Sequence, residues 1–147
     1  MTSTALVAQK KKVADLFNGR KNQIAAVLPK VGITPERMVQ VLFNALNNTP
    51  KLLECKPETL FKAVIQCSSL GLEPNTALGH AYLVPFRNTK ANCTDVQLIV
   101  GYKGYLSLAR RAGEMRSIAS HLVYEGDLFE YELGTSEHIR HVPCGET

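Results

Sequence analysis

The stretch "GYKGYLSLARRAG", residues 101–113, follows the apolar run "VQLIV" (96–100) and places three glycines and three cations in thirteen positions. At 100° per residue Lys103, Ser107, Arg110, Arg111 and Glu114 share one arc, while Tyr105, Leu108, Ala109 and Ala112 share the opposite one. One face is expected to bury and the other to stay mostly positive. Gly113 stands where a left-handed residue ends a helix, and Gly101 and Gly104 are expected to loosen the chain as it leaves the strand-like run. The segment therefore reads as strand, turn, basic amphipathic helix, stop. Its polar arc fits either a solvated surface or a contact with nucleic acid.

Working outward, the residues before it divide into helices and a hairpin. "VADLFNGRKNQIAAVLPK" has helical apolar spacing broken at Gly19 and Pro29. "TPERMVQVLFNALNN" opens with Thr34 as cap, Pro35 in the first turn and Glu36 behind it, and "KPETLFKAVIQCSSLGL" repeats the device with Pro57 and Glu58 before stopping at Gly71. "HAYLVPFR" and "DVQLIVGY" then read as strands joined by the long polar tip "NTKANCT". Beyond the basic helix, "SIASHLVYEGDLFEYELG" and "HIRHVP" resume short alternating strands around Gly126 and Gly134. The expected class is α+β: N-terminal helices followed by a small antiparallel sheet with an embedded basic helix. Residues 1–147 are expected to form a single domain, with residues 1–15 as a flexible basic N-terminus.

The 147 residues are 45% hydrophobic and 20% charged, an ordinary soluble composition. No apolar run approaches the roughly 18 residues of a membrane span, and the N-terminus lacks the charged-then-apolar order of a secretory signal, so a cytosolic location is expected. Cys55, Cys67, Cys93 and Cys144 have no CxxC spacing and are expected as reduced thiols. The net charge of +4 is unevenly spread. Residues 1–116 hold 16 of the 17 Lys and Arg and 7 of the 13 acids, hence +9, against −5 for residues 117–147. Such a basic body suits a polyanion, because each neutralised phosphate releases counterions; the asymmetry also suits head-to-tail stacking of like subunits.

Other constellations compete. "IVGYKGYLSLARRAG" has the Ile-Gly-x-x-Gly shape of a KH domain, but that loop joins two helices, whereas the residues before Gly101 read as a strand. No Gly-Lys-Ser/Thr sequence exists for a P-loop. His138, His141 and Cys144 are spaced three apart, which suits zinc on a helix, yet "HIRHVPC" reads as strand or loop. Glu125 and Asp127 offer a magnesium pair for a nuclease, without a nearby lysine base. No Ser-His-Asp arrangement is found, and no metal or other cofactor is expected. Tyr82, Phe86, Tyr102 and Tyr105 are assigned to the core, so phosphate contact is expected to outweigh base stacking.

The succession "NTPKLLECKPETLFKAVIQCSSLGLEPN", "GHAYLVPF", "VQLIVGYKGYLSLARRAGE" and "VYEGDLFEYELG" with "IRHVP" closely resembles the N-terminal part of the RecT family of phage and prophage single-strand annealing proteins. The resemblance runs in order from about Leu16 to Pro143. Ala112 stands where the family often has serine, and relatives continue past "HVPCGET", so it implies that C-terminal elements are lacking. It implies a non-enzymatic protein of the bacterial host cytoplasm that binds single-stranded DNA and anneals complementary strands without ATP. It further implies a homo-oligomer, ring or filament, that holds the annealed duplex intermediate and works beside a partner exonuclease. Carried onto this chain, Lys103, Arg110 and Arg111 in the basic helix and Arg87 and Lys90 on the hairpin are the expected phosphate contacts. Asn75 and Thr76 in "LGLEPNTALGH" are expected to add backbone or hydroxyl contacts, or to cap that loop. A metal-dependent nuclease and a KH-like RNA-binding module are the alternatives.

Overall fold

Thr34 starts the central helix as the sequence signals predict. Its hydroxyl oxygen accepts a hydrogen bond from the Arg37 backbone N–H at 3.2 Å, Pro35 occupies the first turn, and Glu36 pairs with Lys21 Nζ at 2.6 Å. The helix so opened, α3 (Pro35–Asn48), buries Met38, Leu42, Ala45 and Leu46 along one stripe. The computed structural model describes residues 3–30, 32–113 and 115–145; Glu114, assigned above to the polar arc, lies outside them. The chain divides into two compact units, Met1–Glu114 and Met115–Thr147.

In the first unit α1 (Ser3–Gly19) and α2 (Lys21–Val27) meet at the break foreseen at Gly19. The segment expected to be a flexible basic terminus is helical over residues 3–15. Val13 and Phe17 lie one turn apart in the core, and Lys10 Nζ donates to Asn47 Oδ1 at 3.0 Å, so this basic stretch has partners on the helices beside it. Phe17 meets Phe61 edge-on, with ring centroids 5.2 Å apart. A 3-10 turn (Pro50–Glu54) buries Leu52 and Leu53 and leads into α4 (Pro57–Ser69), which buries Leu60, Phe61, Val64 and Cys67. Each large apolar side chain removed from water here contributes roughly 1.5–3 kcal/mol.

The hairpin of β1 (Ala81–Asn88) and β2 (Cys93–Val100) runs in register from Ala81↔Val100 to Asn88↔Cys93. Its strands keep the expected length of eight residues but are displaced toward the tip, which is only residues 89–92. One face packs on α4: Ala81 and Leu83 are buried, and Val96 and Leu98 are half-buried. Thr59 fastens this layer, its hydroxyl donating to the Lys56 carbonyl at 2.9 Å and accepting from the Val96 N–H at 3.1 Å.

After β2 comes the predicted basic helix, α5 (Tyr102–Ala112), ended by Gly113 at φ 77°. Gly101 and Gly104 serve close packing rather than loosening. A Cβ on Gly101 would stand 2.6 Å from the Gly79 carbonyl oxygen, and one on Gly104 would overlap the His80 carbonyl oxygen. The helix thus docks through Gly104 and half-buried Leu108, which rests on Cys67, Leu72 and Ala81. This stripe is narrower than the arc anticipated. Tyr105 is 62% exposed and Tyr102 is exposed too. Tyr82 and Phe86 are likewise exposed, because α4 covers one face of the hairpin and these residues alternate onto the other. The assignment of these four aromatics to the core is therefore corrected.

The second unit contains β3 (Leu128–Glu132) and β4 (His138–Val142), antiparallel from Leu128↔Val142 to Glu132↔His138. Residues 117–124, expected as strand, form none. The chain is thus α+β as foreseen, with its strands in two separate two-stranded sheets.

Candidate nucleic-acid interface

The site begins at the end of α4. Leu72 N–H donates to the Cys67 carbonyl at 3.1 Å and Gly71 N–H to that of Ser68 at 2.9 Å, with Gly71 at φ 59°. This is a Schellman ending. It leaves the carbonyls of Leu70 and Gly71 facing α5, where Arg111 takes them: Nη2 donates to Leu70 O at 2.6 Å and Nη1 to Gly71 O at 3.5 Å. A guanidinium at the negative end of a helix is electrostatically favoured there. Arg111 accordingly ties α5 to α4 while staying largely exposed.

Two adjoining hollows of about 260 and 500 Å³ flank this contact and share Leu78, His80, Ser107 and Arg111. They form one cleft between α3, the 71–80 loop and α5. Lys103 and Arg110 line the larger hollow, Arg37 the smaller, and Arg111 both. Arg37 makes a two-pronged ion pair with Glu73, Nε to Oε1 and Nη2 to Oε2, the latter at 3.2 Å. Glu73 is only 7% exposed in its side chain, and its carboxylate raises the Arg37 guanidinium above its usual value by hydrogen bonding and charge. Among the described residues four cations thus line the cleft against one carboxylate, and that carboxylate is paired with Arg37.

Of the residues expected at the interface, the fold gathers Lys103, Arg110 and Arg111 in this cleft. Arg87 and Lys90 lie toward the hairpin tip, with Arg87 Nη2 on Asn92 Oδ1 at 3.1 Å. Seven residue steps of extended strand, roughly 23 Å, separate that end from the base where α5 starts. The expected set is therefore split between two places. Asn75 serves its own loop: at φ 54°, its N–H donates to Ala81 O at 2.9 Å and its Oδ1 accepts from Leu83 N–H at 2.7 Å. Thr76 Oγ1 is buried with no hydrogen-bond partner among the described residues. Arg37 and His80 escaped sequence reasoning. Arg37 reads as an ordinary first-turn residue, and nothing local marks a partner 36 positions away.

The competing constellations fare differently. Gly101 caps α5 directly after a strand, which is not the helix-to-helix loop of a KH domain. Asp127, 2% exposed in its side chain, accepts hydrogen bonds from His141 Nε2 at 2.8 Å and from the N–H groups of Tyr124 and Cys144 at 3.0 Å. Both its oxygens are engaged in closing the turn around Gly126. His138 instead faces Glu132 at 3.6 Å. Among the described residues no group of three or more His, Cys, Asp and Glu side chains is gathered as for a metal ion. Among the same residues no helix is long and apolar enough to cross a membrane.

Comparison with known proteins places this geometry in context. Protein RecT of Escherichia coli K12 is 45% identical over 125 residues, which cover 84% of this chain and 46% of that protein. The uncharacterized protein YqaK of Bacillus subtilis 168 is 28% identical over 96 residues, 65% of this chain and 32% of its own length. The chain thus spans less than half the length of these relatives. The RecT family model matches residues 36–147, from the first turn of α3 onward, and the chain belongs to the RecT family.

Proposed function

We propose that this chain is the strand-binding part of a DNA-annealing recombination protein, holding single-stranded DNA by its phosphates and pairing it with a complementary strand without ATP. The observation that carries the reading is the cleft on α5, where Lys103, Arg110 and Arg111 converge in a chain of the RecT family. Annealing needs no coupled hydrolysis, since stacking contributes on the order of 1.4 kcal/mol per base-pair step. What opposes it is repulsion between two backbones, which a cationic surface relieves. The exposed rings of Tyr82 and Phe86 add stacking surfaces to the phosphate contacts. Basic residues 1–116 and acidic residues 117–147 favour head-to-tail rows of subunits, ring or filament, along the strand. A partner exonuclease would supply single strands, and the setting is the cytoplasm of a bacterial host.

The test is annealing of complementary labelled oligonucleotides without nucleotide, in EDTA and again in magnesium, with light scattering before and after addition of single strands. Annealing accompanied by growth in particle size supports the reading. Magnesium-dependent loss of label would favour a nuclease, and preference for RNA a KH-like binder. Lys103→Ala with Arg110→Ala should slow annealing and lower the slope of log affinity against log salt by about 1.4, two single-strand phosphate contacts at about 0.7 each.

A further inference from the structure

Arg37 and Arg111, 74 positions apart in sequence, approach the same cleft from two helices, and each is held along part of its guanidinium by the protein itself. A guanidinium carries five N–H donors. Glu73 occupies two of those on Arg37, and the carbonyls of Leu70 and Gly71 occupy two on Arg111. The rest remain for a ligand. Side chains already pinned lose little further freedom on binding, so a pair of them is a pre-organised receptor for an oxyanion. Glu73 does not repel such an anion strongly, because its charge is already matched by Arg37. His80 and Ser107 line the same hollow as additional polar groups.

We infer that the smaller hollow, between Arg37 and Arg111, is a phosphate subsite that continues the α5 track onto α3 and seats one backbone phosphodiester of the bound single strand. This rests on the proposed function and adds Arg37 as a phosphate contact and Glu73 as its positioning residue. Lys103 and Arg110 then supply the cations of the larger hollow, and the Arg37–Arg111 pair sets the register of the strand.

Leu78 permits a test that leaves both ion contacts intact, since it lines both hollows and is half-exposed. Val7 on α1, more exposed still, supplies the charge-matched control away from the cleft. Affinity for a thymidine oligonucleotide at low salt is measured for Leu78→Glu, Leu78→Lys, Val7→Glu and Val7→Lys, each checked for an unchanged melting temperature. Leu78→Glu should weaken binding about fivefold or more and Leu78→Lys should tighten it, while both Val7 variants stay within about twofold of the parent. The inference is overturned if the Leu78 pair behaves like the Val7 pair, or if both Leu78 variants weaken binding alike. Lys103→Ala with Arg110→Ala, run alongside, separates the two claims. Loss of affinity there with an indifferent Leu78 pair removes the subsite and leaves the proposed function standing. No loss in any variant removes both.

Discussion

Arg111 donates to the carbonyl oxygen of Leu70 at 2.6 Å, so a side chain of the basic helix closes the end of another helix forty-one residues away. Its neighbour Arg110 lines the cleft and makes no such contact among the described residues. The two adjacent arginines therefore do different work.

Replacing each singly should separate them. Arg111→Ala leaves two carbonyls at the end of α4 without their charged partner and should cost about 1 kcal/mol, a fall in melting temperature of about 4 °C for a unit of this size. Arg110→Ala should melt with the parent. Both should weaken single-strand binding, each lowering the salt slope by about 0.7. Equal melting of the two variants would mean that the Leu70 contact contributes nothing.

Gly104→Ala is expected to be worse than its chemistry suggests. Alanine improves helix propensity by about 1 kcal/mol at an exposed site, but here the added methyl overlaps the His80 carbonyl oxygen and meets Val100. Overpacking of this kind costs about 1–3 kcal/mol and lifts α5 from the hairpin. Thermal melting together with oligonucleotide binding checks it, and both should fall. A gain in stability would refute the close approach.

The four cysteines should sort by burial. Burial pushes the Cys67 thiol up to about 12, with Glu73 adding to the effect, and raises Cys55 to about 11 with help from Glu54 and Asp95. Neither forms thiolate at neutral pH. Alkylation at pH 8 followed by peptide mass analysis should label exposed Cys144 first and half-buried Cys93 next, and should reach Cys55 and Cys67 only in denaturant.

Asp127 makes the second unit sensitive to acid. The hydrogen bond from His141, then those from the Tyr124 and Cys144 N–H groups, hold its carboxyl well below the usual 3.8. A folded value below the unfolded one gives stability that is full above the ordinary value and is lost as pH falls through the lowered one. Amide exchange at β3 and β4 should therefore stay slow at pH 5 and quicken only in strong acid. Asp127→Asn should exchange fast already at pH 5, and an unchanged profile would show that the Asp127–His141 pair does not secure the turn.

The sequence by itself determined what depends on neighbours along the chain. Thr34-Pro35-Glu36 begins a helix because cap and first turn are three adjacent residues, and Gly71 and Gly113 end helices because each supplies a positive φ where it stands. The period of "VQLIV" and the polar arc of α5 were legible for the same reason, and so was the family likeness, which is a linear pattern. Only the tertiary structure decided which surfaces stay open. Tyr82, Phe86 and Tyr105 look like core residues until α4 is seen to cover one face of the hairpin and α5 to dock through Gly104. The cleft itself was hidden, because Arg37, Glu73 and Arg111 come from three separate elements, and a carboxylate attracts whichever cation folding brings within reach. Periodicity reports the direction in which a side chain leaves its own backbone; what it meets there is settled by packing between distant segments.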